Sequence, residues 1–184
     1  RDRSVSRGLG DVYKRQSAGL RADGCDYSGR MARVWRQLSP RASVSYAVSP
    51  GWSVSGSAGL YCQLPPYTAL GFKEEDALVN RSLDYMRVGV FSAGVDWRLR
   101  DRLIVSVEGF YKRYGDVPLS VADGIPLSCK GNDYGVVGNE KLVSSAQGRA
   151  YGVEAMARWQ IPGRVNVVGS VTCLLYTSDA ADEL

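Results

Sequence analysis

The chain has 184 residues and a net charge of +4 at pH 7. It contains no histidine, which excludes Ser-His-Asp and Cys-His catalysis and histidine-based metal sites within the chain. The 23 lysine and arginine residues are scattered along the sequence, so a nucleic-acid-binding patch is not expected. No run of 18 apolar residues occurs, which excludes a transmembrane helix. Membrane-spanning strands are not excluded by this, because only half of their side chains are apolar.

The two ends of the sequence differ in composition from its middle. Residues 1–16 carry five basic side chains and no period-two pattern, and residues 173–184 follow a break in a strand pattern at Val171-Thr172. The strings LGDVYKRQ and CLLYTSDAADE resemble translated sequencing-adaptor read-through, and the alternative is a basic arm and an acidic tail. We therefore expect a native domain over residues 17–172, flanked by two non-native segments.

The middle of the chain alternates apolar and polar residues in six segments. Such alternation is typical of strands that face lipid on one side and water on the other. The six segments are 41–48, 52–63, 91–99, 103–112, 151–160 and 164–172. A seventh strand is expected to end at residues 19–21. Residues 86–90 fit the alternation poorly, because Val88 and Val90 fall on the polar phase; a bulge, or a strand extending above the bilayer, accounts for this.

The connections between these segments alternate in length. Residues 49–51, 100–102 and 161–163 form tight turns built from proline, glycine and charged residues. The connections over residues 64–84 and 114–148 are long. Outer-membrane barrels have short periplasmic turns and long extracellular loops, so this sorting predicts an antiparallel transmembrane β-barrel, an all-β fold.

Three tryptophans lie on the apolar phase beside the short turns, namely Trp52, Trp97 and Trp159. Their position predicts an aromatic girdle at the periplasmic interface. The alternative is that they are core residues of a soluble sheet, which leaves their common position beside the turns unexplained.

Six charged residues lie on the opposite, polar phase, and we predict that they face the barrel lumen. They are Asp96, Arg98, Glu108, Lys112, Glu154 and Arg158. A basic residue facing lipid at mid-bilayer would cost about 2–4 kcal/mol, whereas a wet lumen accepts it. Mixed signs on neighbouring strands suggest lumenal ion pairs, and the alternative is that these groups only solvate the inner wall.

Several segments resemble TonB-dependent outer-membrane receptors of the Bacteroidota type. They are QLSPR (37–41), QLPPYTALGF (63–72), VEGFYKRYGDVPLSV (107–121) and GRAYGVEAMARW (148–159). The Gly-Val-Glu element alone is weakly specific, but the ordered set is strong, and the resemblance covers nearly all of residues 17–172.

This resemblance implies six or seven strands from the late part of a 22-stranded barrel that is closed by an N-terminal plug in the bacterial outer membrane. It also implies import of a scarce ligand (an iron chelate, cobalamin or a glycan) energised by TonB. The plug and the TonB box, through which TonB acts, are not within this chain. Partners would be outer-membrane lipid, TonB and the ligand. Ligand contacts are expected in the long loops, at Tyr67, Phe72, Lys130 and Tyr134.

Enzyme signatures are absent from the sequence. It has no G-x-S-x-G, G-x-x-x-x-G-K-[ST] or G-x-G-x-x-G motif, so we expect neither an enzyme nor a cofactor. The four cysteines show no C-x-x-C spacing, and we expect no metal site. The alternative functions are a passive porin or structural barrel and, further off, a soluble β-rich binding module.

Overall fold

A computed structural model describes residues 13–99, 102–130, 136–161 and 165–179. Seven long strands and one small ribbon make up most of this part of the chain. The strands are β1 (Lys14–Ala22), β2 (Leu38–Ser49), β3 (Trp52–Gln63), β4 (Lys73–Glu74), β5 (Ala77–Leu78), β6 (Met86–Leu99), β7 (Leu103–Ser120), β8 (Leu142–Ile161) and β9 (Val165–Asp179). The only α-helix among the described residues is one turn, α1 (Tyr67–Leu70).

The long strands form a single antiparallel sheet in the order β1-β2-β3-β6-β7-β8-β9, and β4 and β5 pair separately as a ribbon. Each long strand therefore pairs with the next one along the chain, as in an up-and-down barrel wall. The predicted all-β antiparallel architecture is confirmed. No described helix is long and apolar enough to cross a membrane.

Several predicted strand limits were too short. Residues 86–90 belong to β6, whose pairing with β3 runs without a register shift from Trp52↔Trp97 to Gln63↔Met86. Of the two explanations for these residues, the bulge is wrong, and the strand does extend through them. β7 extends to Ser120 and β8 begins at Leu142, so the predicted loop over residues 114–148 is shortened to residues 121–141. Pairing between strands continues past the point where the alternation ends, because the backbone ladder does not depend on side-chain polarity.

Short and long connections lie at opposite ends of the sheet. β2 and β3 are joined by residues 50–51, β6 and β7 by residues 100–102, and β8 and β9 by residues 162–164. At the other end lie residues 23–37, 64–85 and 121–141. The predicted sorting of connections is thus present, and we call these two sides the short-turn end and the long-connection end.

The pairing registers assign every strand residue to one of two faces, because directly opposed residues on neighbouring strands point the same way. One row of the apolar face is Tyr46–Val54–Val95–Val107–Ala155–Val171. Large side chains on this face are exposed, and Phe91 keeps 63% of its surface. The buried apolar clusters lie instead among the long connections and the adjoining strand ends.

The alternation of faces fails near both limits of the described chain. Lys14 and Gln16 of β1 oppose Tyr46 and Val44 and therefore lie on the apolar face. In β9, Leu174 opposes Gly152 on the polar face. The strand that was predicted to end at Thr172 nevertheless continues to Asp179.

Candidate functional site

The three long connections share one buried core at the long-connection end. Met31 comes from the first connection, Ala69, Leu70, Leu83 and Tyr85 from the second, and Leu127 and Leu142 from the third and the start of β8. We call these residues the loop core. Burial of apolar side chains from separate segments holds the segments together. The connections therefore form one folded layer above the sheet.

Asn80 lies at the centre of this layer and is completely buried. Its Nδ2 donates to the carbonyls of Ala69 at 2.7 Å and Glu140 at 2.9 Å, and its Oδ1 accepts from the backbone N–H of Leu142 at 2.8 Å. One amide thereby satisfies three backbone groups, in the second connection, the third connection and the start of β8. This residue was not among the predicted site residues, because nothing in the local sequence marks an asparagine as buried.

Three further contacts join the connections. The hydroxyl of Tyr27 donates to the Leu70 carbonyl at 2.7 Å, and burial raises the pKa of this tyrosine. The hydroxyl of Thr68 donates to the Val137 carbonyl at 2.7 Å. The third contact is an ion pair at 3.3 Å, between the guanidinium of Arg30 and the buried carboxylate of Asp84.

Lys130 is held between two carboxylates within the third connection. Its Nζ lies 2.6 Å from Asp123 Oδ2 and 2.7 Å from Glu140 Oε1. Glu140 also accepts a hydrogen bond from the hydroxyl of Ser120. The hydrogen bond from Lys130, followed by one from the backbone N–H of Ile125, lowers the pKa of Asp123 from 3.8 to about 2. This ion cluster joins the two ends of the third connection through the side chain of Lys130.

The predicted ligand-contact residues have different surroundings. Tyr67 is 82% exposed on α1, whose Ala69 and Leu70 are buried in the loop core. Phe72 follows the same helix and is half-buried. Lys130 takes part in the ion cluster, and Tyr134 lies outside the described residues. Among the three members that the structure describes, Tyr67 is thus the one with the most surface available for contact.

The six charged residues predicted to face the lumen do share the polar face. Glu108 and Glu154 are directly opposed across β7 and β8. Asp96 accepts a hydrogen bond from Ser53 at 3.4 Å. The other three are Arg98, Lys112 and Arg158. Within the described residues none of the six forms an ion pair with another, so the suggested ion pairs are not formed.

The three tryptophans share the apolar face near the short-turn end. Trp52 and Trp97 are directly opposed on β3 and β6, and their rings stack. Trp159 opposes Leu103 of β7 and keeps 52% of its surface exposed. The sheet therefore places tryptophans along one edge of its apolar face, and about half of the surface of Trp52 and Trp159 is left uncovered by the described residues.

Comparison with known families gives one match that spans most of the chain. The family model described as "TonB dependent receptor-like, beta-barrel" matches residues 11–183. No curated protein is significantly similar to the chain in sequence.

Solved structures with the same fold are receptors and transporters of much greater length. The copper transporter OprC superposes with a TM-score of 0.59 at 14% identity, covering 92% of this chain and 28% of OprC. The ferric-catecholate import receptor Fiu from E. coli K12 gives 0.56 at 14% identity, covering 77% and 18%. The FrpB iron transporter from Neisseria meningitidis (F3-3 variant) gives 0.53 at 14% identity, covering 77% and 20%. The chain thus spans less than a third of each of these proteins.

Proposed function

The chain belongs to the TonB-dependent receptor-like β-barrel family, and from this membership we propose that it is part of the wall of an outer-membrane receptor that imports a scarce ligand. In the proposed receptor, a plug outside this chain closes the barrel, and TonB supplies the energy for import. The family consists of transport receptors of bacterial outer membranes, which argues against an enzyme.

One observation carries the proposal. The sheet has an exposed apolar face whose tryptophans lie beside short turns, and its long connections are gathered at the other end. A soluble sheet would have to cover such a face, because contiguous exposed apolar patches of this kind mark contact with lipid or protein. The apolar face therefore contacts lipid, and the polar face, with Asp96, Glu108 and Glu154, lines the lumen.

The ligand enters from the long-connection end in this proposal. The loop core gives that end a defined shape, and Tyr67 and Phe72 stand on it as the proposed ligand contacts. The structural neighbours are described as iron, ferric-catecholate and copper transporters, which supports a metal complex as the first cargo class to test. Cobalamin and oligosaccharides are the other classes.

Fractionation and uptake by the complete receptor test this function. We expect the receptor in the outer-membrane fraction, and we expect uptake of one labelled iron chelate, copper, cobalamin or oligosaccharide that stops when TonB is inactivated. Uptake that continues without TonB would identify a passive porin. Recovery in the soluble fraction would identify a soluble binding module and refute the proposal.

A single substitution tests the ligand-contact assignment. Tyr67→Ala should weaken binding of the imported ligand about tenfold or more, because exposed aromatic side chains are frequent hot spots of recognition. Glu74→Ala, which removes an exposed side chain from the same connection, is the matched control and should leave affinity unchanged. Equal affinities in the two variants would remove Tyr67 from the binding site.

A further inference from the structure

Two arginines oppose each other at the outer edge of the apolar face. Tyr111 and Tyr151 are directly paired across β7 and β8, and the next pair on the same face towards the long-connection end is Arg113 and Arg149. Both arginines are exposed, and within the described residues neither forms an ion pair. Like charges placed directly opposite each other destabilise a sheet. An anionic partner outside this part of the chain would remove that penalty.

A third arginine on this face does form an ion pair with a carboxylate. Arg87 of β6 opposes Gly115 and lies diagonally from Arg113 on the same face. Its Nε is 3.3 Å from the carboxylate of Asp116. Arg87 is thus paired with a carboxylate, whereas Arg113 and Arg149 form no ion pair with any side chain that the structure describes.

The height of the pair matches the level of lipid headgroups. The apolar face of β6 is uninterrupted from Leu99 to Phe91, and the next residue on that face, Gly89, opposes Arg113. At about 3.3 Å per residue and a tilt of about 40°, the rise from Leu99 to Gly89 is roughly 25 Å, the height of the apolar band of an outer-membrane barrel. The row Phe91–Tyr111–Tyr151 ends it with three aromatic rings. Aromatic residues mark the membrane–water interface, so the next row out meets the headgroups.

We propose that Arg113 and Arg149 together bind the phosphate group of an anionic lipid in the outer leaflet. A guanidinium donates two parallel hydrogen bonds to phosphate oxygens, and two guanidiniums on adjacent strands can hold one phosphate between them. Phosphate fits better than a protein carboxylate, because the pair continues directly from the face that contacts lipid. This inference rests on the proposed membrane location of the apolar face.

Lipid binding by the complete receptor in detergent tests the pair. Diphosphoryl lipid A is the probe, and phosphatidylcholine, which has no net charge, is the control lipid. Retained lipid is counted by native mass spectrometry. We expect R113Q/R149Q to lower the affinity for diphosphoryl lipid A about tenfold or more, because charge-assisted hydrogen bonds are lost. R113K/R149K should keep most of the binding, since lysine still attracts phosphate as a point charge.

The matched control is R98Q/R158Q, which removes two exposed arginines from the polar face near the short-turn end. It should bind diphosphoryl lipid A like the unaltered receptor. Equal lipid A binding by R113Q/R149Q, or equal retention of the two lipids by the unaltered receptor, would overturn the inference.

Membrane fractionation and ligand uptake, measured on the same variants, separate the two proposals. If the receptor is in the outer membrane and imports its ligand while lipid A binding does not depend on the arginines, only the lipid site fails. If the receptor is not in the membrane, the proposed function fails and the lipid site fails with it.

Discussion

Trp52 stacks on Trp97 across the β3–β6 pair, with ring centroids 5.5 Å apart and an angle of 17° between the ring planes. The two residues are 45 positions apart in the chain, and only the register of the strands brings them together. Each precedes or follows a short turn, so the stack lies at the edge of the apolar face. It offers a direct measure of whether this edge is held in the register described.

A double-mutant cycle on this stack should give a coupling free energy of about 0.5–1.5 kcal/mol. The variants are Trp52→Leu, Trp97→Leu and the double substitution in the complete receptor, with unfolding by denaturant in lipid vesicles as the measurement. The cycle of Trp52 with Trp159, whose strands are separated by two others, is the control and should give no coupling. A stack without coupling would mean that the rings act independently or that the register differs.

Asn80→Ala should loosen the long connections without unfolding the strands. The substitution leaves the Leu142 N–H and the carbonyls of Ala69 and Glu140 without their partner, at about 1–3 kcal/mol for each group that stays buried. Limited proteolysis of the complete receptor in lipid should show faster cleavage within residues 64–85 and 121–141. Tyr67→Ala, in the same connection but exposed, should cleave like the unaltered protein, and similar rates in all three would refute the central role of Asn80.

The third connection should lose stability in acid through Asp123. The pKa of this carboxyl is lowered from 3.8 to about 2 in the fold, so the folded state favours the ionised form. By linkage, its stabilising contribution is fully present above the ordinary pKa and is lost as pH falls through about 2. Lys130 then keeps Glu140 as its remaining carboxylate partner.

Pepsin cleavage between pH 4 and pH 2 measures this effect in the complete receptor. Residues 121–141 should be cleaved more slowly in the unaltered protein than in Asp123→Asn near pH 4, and the difference should shrink towards pH 2. A difference that is constant over this range would show that the carboxyl does not titrate in the fold as described.

The proposal that residues 1–16 and 173–184 derive from adaptor sequence has a direct test. The polarity pattern supports it, because Lys14 and Gln16 lie on the apolar face, where a basic residue at mid-bilayer costs about 2–4 kcal/mol. The family match nevertheless extends into both segments. Amplification across each boundary from the source DNA should give different codons, with apolar residues at positions 14 and 16. Recovery of the same codons would show that the segments are native.

The alternation of polarity was enough to predict the strands and their faces. Period-two patterning depends on the two environments of one sheet, so Trp52, Trp97 and Trp159 could be placed on the apolar face and Glu108 and Glu154 on the polar face from sequence alone. The lengths of β7 and β8 could not be predicted in this way. At their outer ends, residues 117–120 of β7 are all buried and residues 142–145 of β8 are buried or half-buried, so the alternation of exposure disappears there.

The sequence by itself determined an antiparallel sheet with one apolar face, tight turns at one end and long connections at the other. Only the tertiary structure decided that the long connections share a core around Asn80, that Lys130 is engaged by Asp123 and Glu140, and that Arg113 opposes Arg149. The physical reason is range. Polarity patterns report the surroundings of neighbouring residues, whereas these contacts join residues that are not neighbours in the chain, and their geometry exists only once the strands and connections have folded.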